Sequence, residues 1–172
     1  MIVLVMGVAG AGKTTIGEAL ARRLGWRFID ADDYHPPENV AKMKAGIPLE
    51  DSDRWPWLAR LNRILKEEEN AVLACSALKQ SYRERLAQGI AHFAVVYLHG
   101  SFALISERLK GRSHRYMPTT LLESQFTALQ PPTDAIAIDV AATPEECVAA
   151  IVARLTAGPS HDRGISRPCR CR

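Results

Sequence analysis

The chain has 172 residues, 47% of them hydrophobic and 24% charged, which gives one domain room for a sizeable core and excludes a disordered or fibrous chain. No apolar run, Ile2 to Met6 among them, approaches the roughly 20 residues that cross a bilayer, so no membrane partner is expected. The formal charge is +3, but four arginines and Asp162 in residues 158–172 account for it; the neutral remainder offers no basic face, and no nucleic-acid partner is expected.

In chain order the pattern alternates strand and helix. Ile2–Met6 reads as a buried strand, entered from Met1 without a basic leader, which points to a cytoplasmic protein. Lys13–Leu24 carries Ile16, Ala19, Leu20 and Leu24 at helical spacing and stops at Gly25. Arg27–Asp30 is a short strand. A Pro-, Gly- and charge-rich stretch, 33–53, holds a short helix around Glu38–Lys44. Arg54–Glu69 places Trp55, Leu58, Leu61 and Leu65 on one helical face, with Trp55 fitting that buried stripe better than a pocket wall. Ala71–Cys75, Phe93–Leu98 and Ala135–Asp139 are the remaining strands; Leu78–Ala87, Phe102–Lys110 and Thr119–Leu129 are helices. Thr143, Pro144 and Glu146 form a capping box for a last helix ending near Leu155. Cys75 and Cys147 fall in apolar periodic segments and read as small buried hydrophobes; Cys169 and Cys171 in the tail are too few for a zinc site.

The fold class this implies is α/β, a five-stranded parallel sheet flanked by helices. Residues 1–157 form the domain and 158–172 a basic, disordered tail. Ligands in such folds sit at the carboxyl ends of the strands.

Gly7-Val8-Ala9-Gly10-Ala11-Gly12-Lys13-Thr14 follows the first strand and opens the first helix, and it matches G-x-x-x-x-G-K-[ST] in full. Glycines let backbone N–H groups turn toward a phosphate, Lys13 adds a charge on the β- and γ-phosphates, and Thr14 offers a hydroxyl to Mg²⁺. These residues and Thr15 form the expected ATP-binding set. D-x-x-G and N-K-x-D, the marks of a regulatory GTPase, are absent from the sequence. A small kinase acting on a small molecule remains.

Asp30-Ala31-Asp32 ends the second strand beside that site. In a strand-like D-x-D both carboxylates project to one side. Asp30 suits Mg²⁺, held through water, and Asp32 suits a catalytic base for an attacking hydroxyl. The other reading of Asp32 is a turn or N-cap residue. Asp33 reads as a cap or solvated residue.

Here the sequence resembles the gluconokinases of the small P-loop type. The resemblance runs through Asp30-Ala-Asp-Asp-Tyr-His-Pro-Pro-Glu-Asn39, Lys42-Met43, Gly46 to Arg54, Pro56-Trp57-Leu58, Cys75 to Arg83, Arg112-Ser-His-Arg-Tyr-Met-Pro118, and Leu121 to Phe126 with Leu129. It covers Val3 to about Leu155 and leaves the tail unmatched. It implies transfer of the ATP γ-phosphoryl to the 6-hydroxyl of D-gluconate, an adenylate-kinase-like fold with a mobile lid at about 111–118, and a homodimer.

A substrate with a carboxylate and several hydroxyls asks for a cation and hydrogen-bonding groups. Arg54 is the first choice for the carboxylate, its alternative being an ion pair with Asp51 or Asp53. His35 is a candidate for a hydroxyl, or a loop histidine held by Pro36 and Pro37. Lys79 either binds substrate or lies on a solvated helix face. In the lid, Arg112 is the expected catalytic phosphate contact, supported by Arg108 and Arg115. Gln125 reads as a helix residue and a possible polar contact. A shikimate kinase and a catalytically silent nucleotide-binding protein are the alternatives: the first shares the phosphate loop and the D-x-D, and the second is at odds with an intact Lys13, Thr14, Asp30 and Asp32.

Overall fold

The computed structural model describes residues 1–110 and 119–157. The expected lid, Arg112 and Arg115 within it, and the tail with its two cysteines lie outside the described residues.

Strands β1 (Ile2–Met6), β2 (Arg27–Asp30), β3 (Ala71–Ala74), β4 (Phe93–His99) and β5 (Ile136–Asp139) form one parallel sheet in the order β2-β3-β1-β4-β5. The helices are α1 (Lys13–Leu24), α2 (Pro37–Lys44), α3 (Asp51–Glu67), α4 (Gln80–Ala87), α5 (Phe102–Lys110), α6 (Thr119–Ala128) and α7 (Pro144–Thr156). This is the five-stranded α/β architecture read from the sequence.

Strand β1 is buried on both faces, which is why it reads as a continuous apolar run. Side chains alternate across it. Val3 and Val5 pack with Ile16 and Leu20 of α1, Ile105 of α5, Leu122 of α6 and Val148 and Ile151 of α7. Ile2, Leu4 and Met6 pack with Leu58, Leu61 and Leu65 of α3 and Tyr82 and Leu86 of α4. The chain leaves β1 toward β2 on one side, and later crosses over β1 from β3 to β4. This reversal of strand order opens a crevice at the carboxyl ends of the strands.

Helix α3 starts at Asp51, earlier than expected, because the Asp53 carboxylate accepts from the Glu50 N–H at 2.9 Å and caps the first turn. Helix α7 carries the expected box: Thr143 Oγ1 accepts from the Glu146 N–H at 3.3 Å, and Glu146 Oε2 accepts from the Thr143 N–H at 2.9 Å. Cys75 and Cys147 are buried and free. Among the described residues, no helix is long and apolar enough to cross a membrane.

Candidate active site

Strand β1 feeds directly into the glycine-rich loop. Gly7 passes so close to β4 that a Cβ there would lie 2.6 Å from the Leu98 carbonyl oxygen. Gly10 has φ 80°, a left-handed value costly for other residues, and a Cβ on it would press on Leu109 of α5 at 2.7 Å. The loop ends at the N-terminus of α1, whose positive end favours an anion. The Lys13 ammonium donates back across the loop to the Val8 carbonyl at 3.2 Å. Burial lowers its pKa, and Asp32, Cys75 and Asp30 pull in the opposite direction.

At the end of β2, Thr14 Oγ1 donates to Asp30 Oδ2 at 3.0 Å. Asp30 Oδ1 accepts from the Asp32 N–H at 3.1 Å, and Ala31–Tyr34 forms a 3₁₀ turn capped by Asp30. The strand-like reading of Asp30 to Asp32 is therefore corrected. Asp30 is the capping residue, because its carboxylate captures the backbone two residues on and ends the strand. Asp32 stays uncommitted to any cap, and 86% of its side chain is exposed. Desolvation, then the charge of Asp30, nevertheless pushes its pKa above the usual carboxylate range; Lys13 and His35 oppose that rise.

His35 is firmly held. Its ring stacks on Trp57 at 4.1 Å and 15°, its Nδ1 lies 3.4 Å from Asn39 Nδ2, and its Nε2 lies 3.8 Å from Asp32 Oδ1. Burial lowers the His35 pKa from its ordinary 6.5, more than Asp32 raises it, so at neutral pH an uncharged ring faces Asp32. Trp57 in turn donates from Nε1 to the Ala31 carbonyl at 3.0 Å, tying α3 to the 3₁₀ turn. The buried position expected of Trp55 is corrected: Trp57 holds it. Trp57 is 6% exposed and shares the buried stripe with Leu58, Leu61 and Leu65, whereas Trp55 is 40% exposed and packs edge-on to Tyr82 at 5.6 Å.

Helices α2 and α3 and the residue that precedes α4 present the cations. Lys42 Nζ binds both Asp53 oxygens, at 2.7 and 2.9 Å. Lys79 Nζ binds both Asp51 oxygens at 2.8 Å, and the Tyr82 hydroxyl donates to the same carboxylate. These donors hold Asp51 and Asp53 below the usual carboxylate range. Arg54 joins neither aspartate. Its Nη1 makes a long contact of 3.4 Å with Tyr82 Oη, and its guanidinium lies 5.6 Å over that ring. Among the described residues it is paired with no carboxylate.

Arg108 stands on the far side of the phosphate loop and donates to the Val140 carbonyl at 2.6 Å. With Gly12, Thr15, Ile16, Ala142 and Pro144 it lines a cleft of about 330 Å³ beside the start of α1. Gln125 Oε1 accepts from the Ala9 N–H at 2.7 Å. The β3–α4 loop also runs past the site. Ala77 there takes φ 40°, and Arg83 secures it by donating to the Ala77 and Leu78 carbonyls, each at 3.0 Å. Burial pushes the Cys75 thiol up to about 12, so it is no nucleophile at neutral pH.

Sequence reading missed Tyr82, the engagement of Asp51 and Asp53 with the two lysines, and the wall at residues 140–144. Each depends on contacts between distant segments and carries no local signal.

The family model described as Shikimate kinase matches residues 9–156. A probable gluconokinase of Xenopus tropicalis is 47% identical, over 81% of this chain and 85% of that protein. The thermosensitive gluconokinase of Escherichia coli K12 is 42% identical, over 87% of each. A solved gluconokinase from Sinorhizobium meliloti 1021 is 44% identical and superposes with a TM-score of 0.84, over 90% of this chain and 91% of that one. The chain belongs to the gluconokinase family of P-loop kinases. A gluconokinase-family chain is a nucleotide-using phosphotransferase.

Proposed function

We propose that the protein transfers the γ-phosphoryl group of ATP to the 6-hydroxyl of D-gluconate, giving ADP and 6-phosphogluconate. The observation that carries the reading is the position of Asp32, which follows an Asp30 bonded to Thr14 of the phosphate loop and lies 3.8 Å from His35 Nε2. A base placed there meets the acceptor hydroxyl at the end of the triphosphate. The names of the relatives support gluconate as the acceptor.

The roles then divide as follows. Gly7 to Gly12, Lys13, Thr14 and Thr15 bind the phosphates, and the cleft at Arg108 takes the nucleoside end. Asp32 accepts the proton of the 6-hydroxyl as its oxygen bonds to the γ-phosphorus and the bond to the β–γ bridging oxygen breaks. Lys13 holds the developing charge on the bridging and equatorial oxygens. Arg54 pairs with the gluconate carboxylate, and His35 holds a hydroxyl. Lys79 lines the acceptor side through its pairing with Asp51. Arg112 supplies the further charge on the phosphoryl group; its place in the sequence between α5 and α6, which both touch the loop, supports that role.

The donor set near Thr14 fits magnesium. A hydroxyl and the Asp30 carboxylate are hard oxygen ligands, and this ion takes few protein ligands alongside phosphates and water. Thr14 and Asp30 would hold it, and it would supply charge neutralisation on the β- and γ-phosphates.

The domain proposed is 1–157, acting in the cytoplasm as a homodimer; light scattering on the purified chain tests the last point. The activity is tested with a substrate panel. Release of ADP that depends on D-gluconate supports the reading. Release that depends on shikimate, with none on gluconate, replaces it with the alternative acid kinase, and ATP binding without transfer to any sugar acid replaces it with a silent nucleotide-binding protein.

A further inference from the structure

Helix α6 carries a polar residue in an apolar stripe. Leu122 is 1% exposed, and Phe126 and Leu129 pack partly against the same core. Gln125 shares that face, as positions three and four apart on a helix do. It is half-buried, and a polar group brought to such a place costs stability unless it is hydrogen-bonded. Its partner is a backbone N–H of the phosphate loop, Ala9, 116 residues away in the chain at 2.7 Å. Because that partner only donates, the amide oxygen and not the NH₂ group must face it. The next loop residue, Gly10, is closely covered by Leu109 of α5. Helices α5 and α6 are joined to each other by an edge contact of Phe102 with Phe126 at 5.4 Å. The helices on the two sides of residues 111–118 therefore rest on two consecutive residues of the loop that holds the phosphates.

We propose that Gln125 is a positioning residue for phosphoryl transfer: its amide oxygen fixes the Ala9 N–H and so holds the first half of the phosphate loop in register with α6. It touches no reacting atom in this role and acts through the loop. Transfer needs the terminal phosphorus held in line with the acceptor oxygen, and small misplacements cost rate far more than they cost binding. The proposal rests on the phosphotransferase reading above, and its test separates the two.

The test compares Gln125→Met, which keeps length and loses the acceptor, with Gln125→Glu, which keeps an oxygen at the same reach. Amide exchange at Ala9, followed by NMR on the nucleotide-free protein, is the first readout; kcat and the two KM values at saturating co-substrate are the second. In Gln125→Met the Ala9 amide exchanges faster by about tenfold and kcat falls by about tenfold, the scale of one lost hydrogen bond, while KM for gluconate stays put. Gln125→Glu retains Ala9 protection and most of kcat, with a raised KM for ATP because a carboxylate now lies near the phosphates. Unchanged exchange at Ala9 in Gln125→Met overturns the proposal. So does faster exchange with unchanged kcat, or a loss shared equally by kcat, gluconate KM and melting temperature in both variants. The exchange readout needs no turnover, so a failure at gluconate and a failure at Gln125 are read separately.

Discussion

The two sides of the crevice are built by different means. At the phosphate loop the groups offered are backbone N–H groups, set between a strand buried on both faces and a twelve-residue helix. Across from it, on α2, α3 and α4, the groups are side chains paired with one another: Lys42 with Asp53, Lys79 with Asp51, and Tyr82 between Asp51 and Arg54. The first side is fixed by the core and adds the charge of Lys13. The second depends on charge balance among half-exposed residues, where single exposed pairs contribute little and the pattern matters more. Phosphate recognition should therefore be lost in one step at Lys13, and acceptor recognition should be graded across several residues.

The largest effect is expected at Lys13. Lys13→Ala should lower kcat by about 10²–10³-fold or more while circular dichroism shows an intact fold, since the role proposed for Lys13 is at the phosphates. Activity within tenfold of the parent would remove the loop from the chemistry.

Next is Asp32→Asn, with kcat down by about 10²–10⁴-fold and ATP affinity little changed. The raised pKa of Asp32 adds two signatures. The parent's kcat/KM should fall on the acid side through a pKa above the ordinary 3.8, and the residual activity of Asp32→Asn should lack that limb. A raised carboxyl pKa also means that the folded state binds a proton more tightly than the unfolded chain. Stability then falls as pH rises from the unfolded value through the folded one, and the cost is complete at neutral pH. With 86% of the side chain exposed that cost is small, so Asp32→Asn should melt at or slightly above the parent at pH 7. A lower melting temperature would make Asp32 a structural residue.

Arg54→Ala should raise KM for gluconate by about 10–100-fold, the scale of a lost charged hydrogen bond, with KM for ATP unchanged. The smallest effect is expected at Lys79, which already has a carboxylate partner. Lys79→Met should move KM for gluconate less than about fivefold. An effect at Lys79 equal to that at Arg54 would mean that substrate displaces Asp51, and the contrast between paired and unpaired cations would fail.

The same contrast explains what the sequence discloses. The order of strands and helices, the phosphate loop and the cap of α7 are local: each rests on a short run of residues with a fixed period or spacing, and each appears where the sequence places it. The D-x-D was legible as a functional pair but not as a geometry. Whether Asp30 extends a strand or caps a turn is decided by one hydrogen bond to the Asp32 N–H. Trp55 does not take the buried place expected of it, because Trp57 lies two residues on along a helix whose first turn starts earlier than the apolar stripe implies. Only the contacts of Trp57 with Ala31 and His35 reveal which one faces inward. The partners of Lys42 and Lys79 lie 11 and 28 residues away, beyond the reach of any periodicity. Gln125 was legible as a helix residue and a polar contact, but its partner, the Ala9 N–H 116 residues away, was not.

The role proposed for this crevice is to pass the γ-phosphoryl group of ATP to a sugar acid and release ADP. The most direct measurement mixes the purified protein with Mg-ATP and D-gluconate and follows 6-phosphogluconate through its dehydrogenase, with shikimate run in parallel by ADP release. The account predicts turnover that requires gluconate and none with shikimate. Turnover with shikimate alone, or ATP binding with no acceptor turned over, would contradict it.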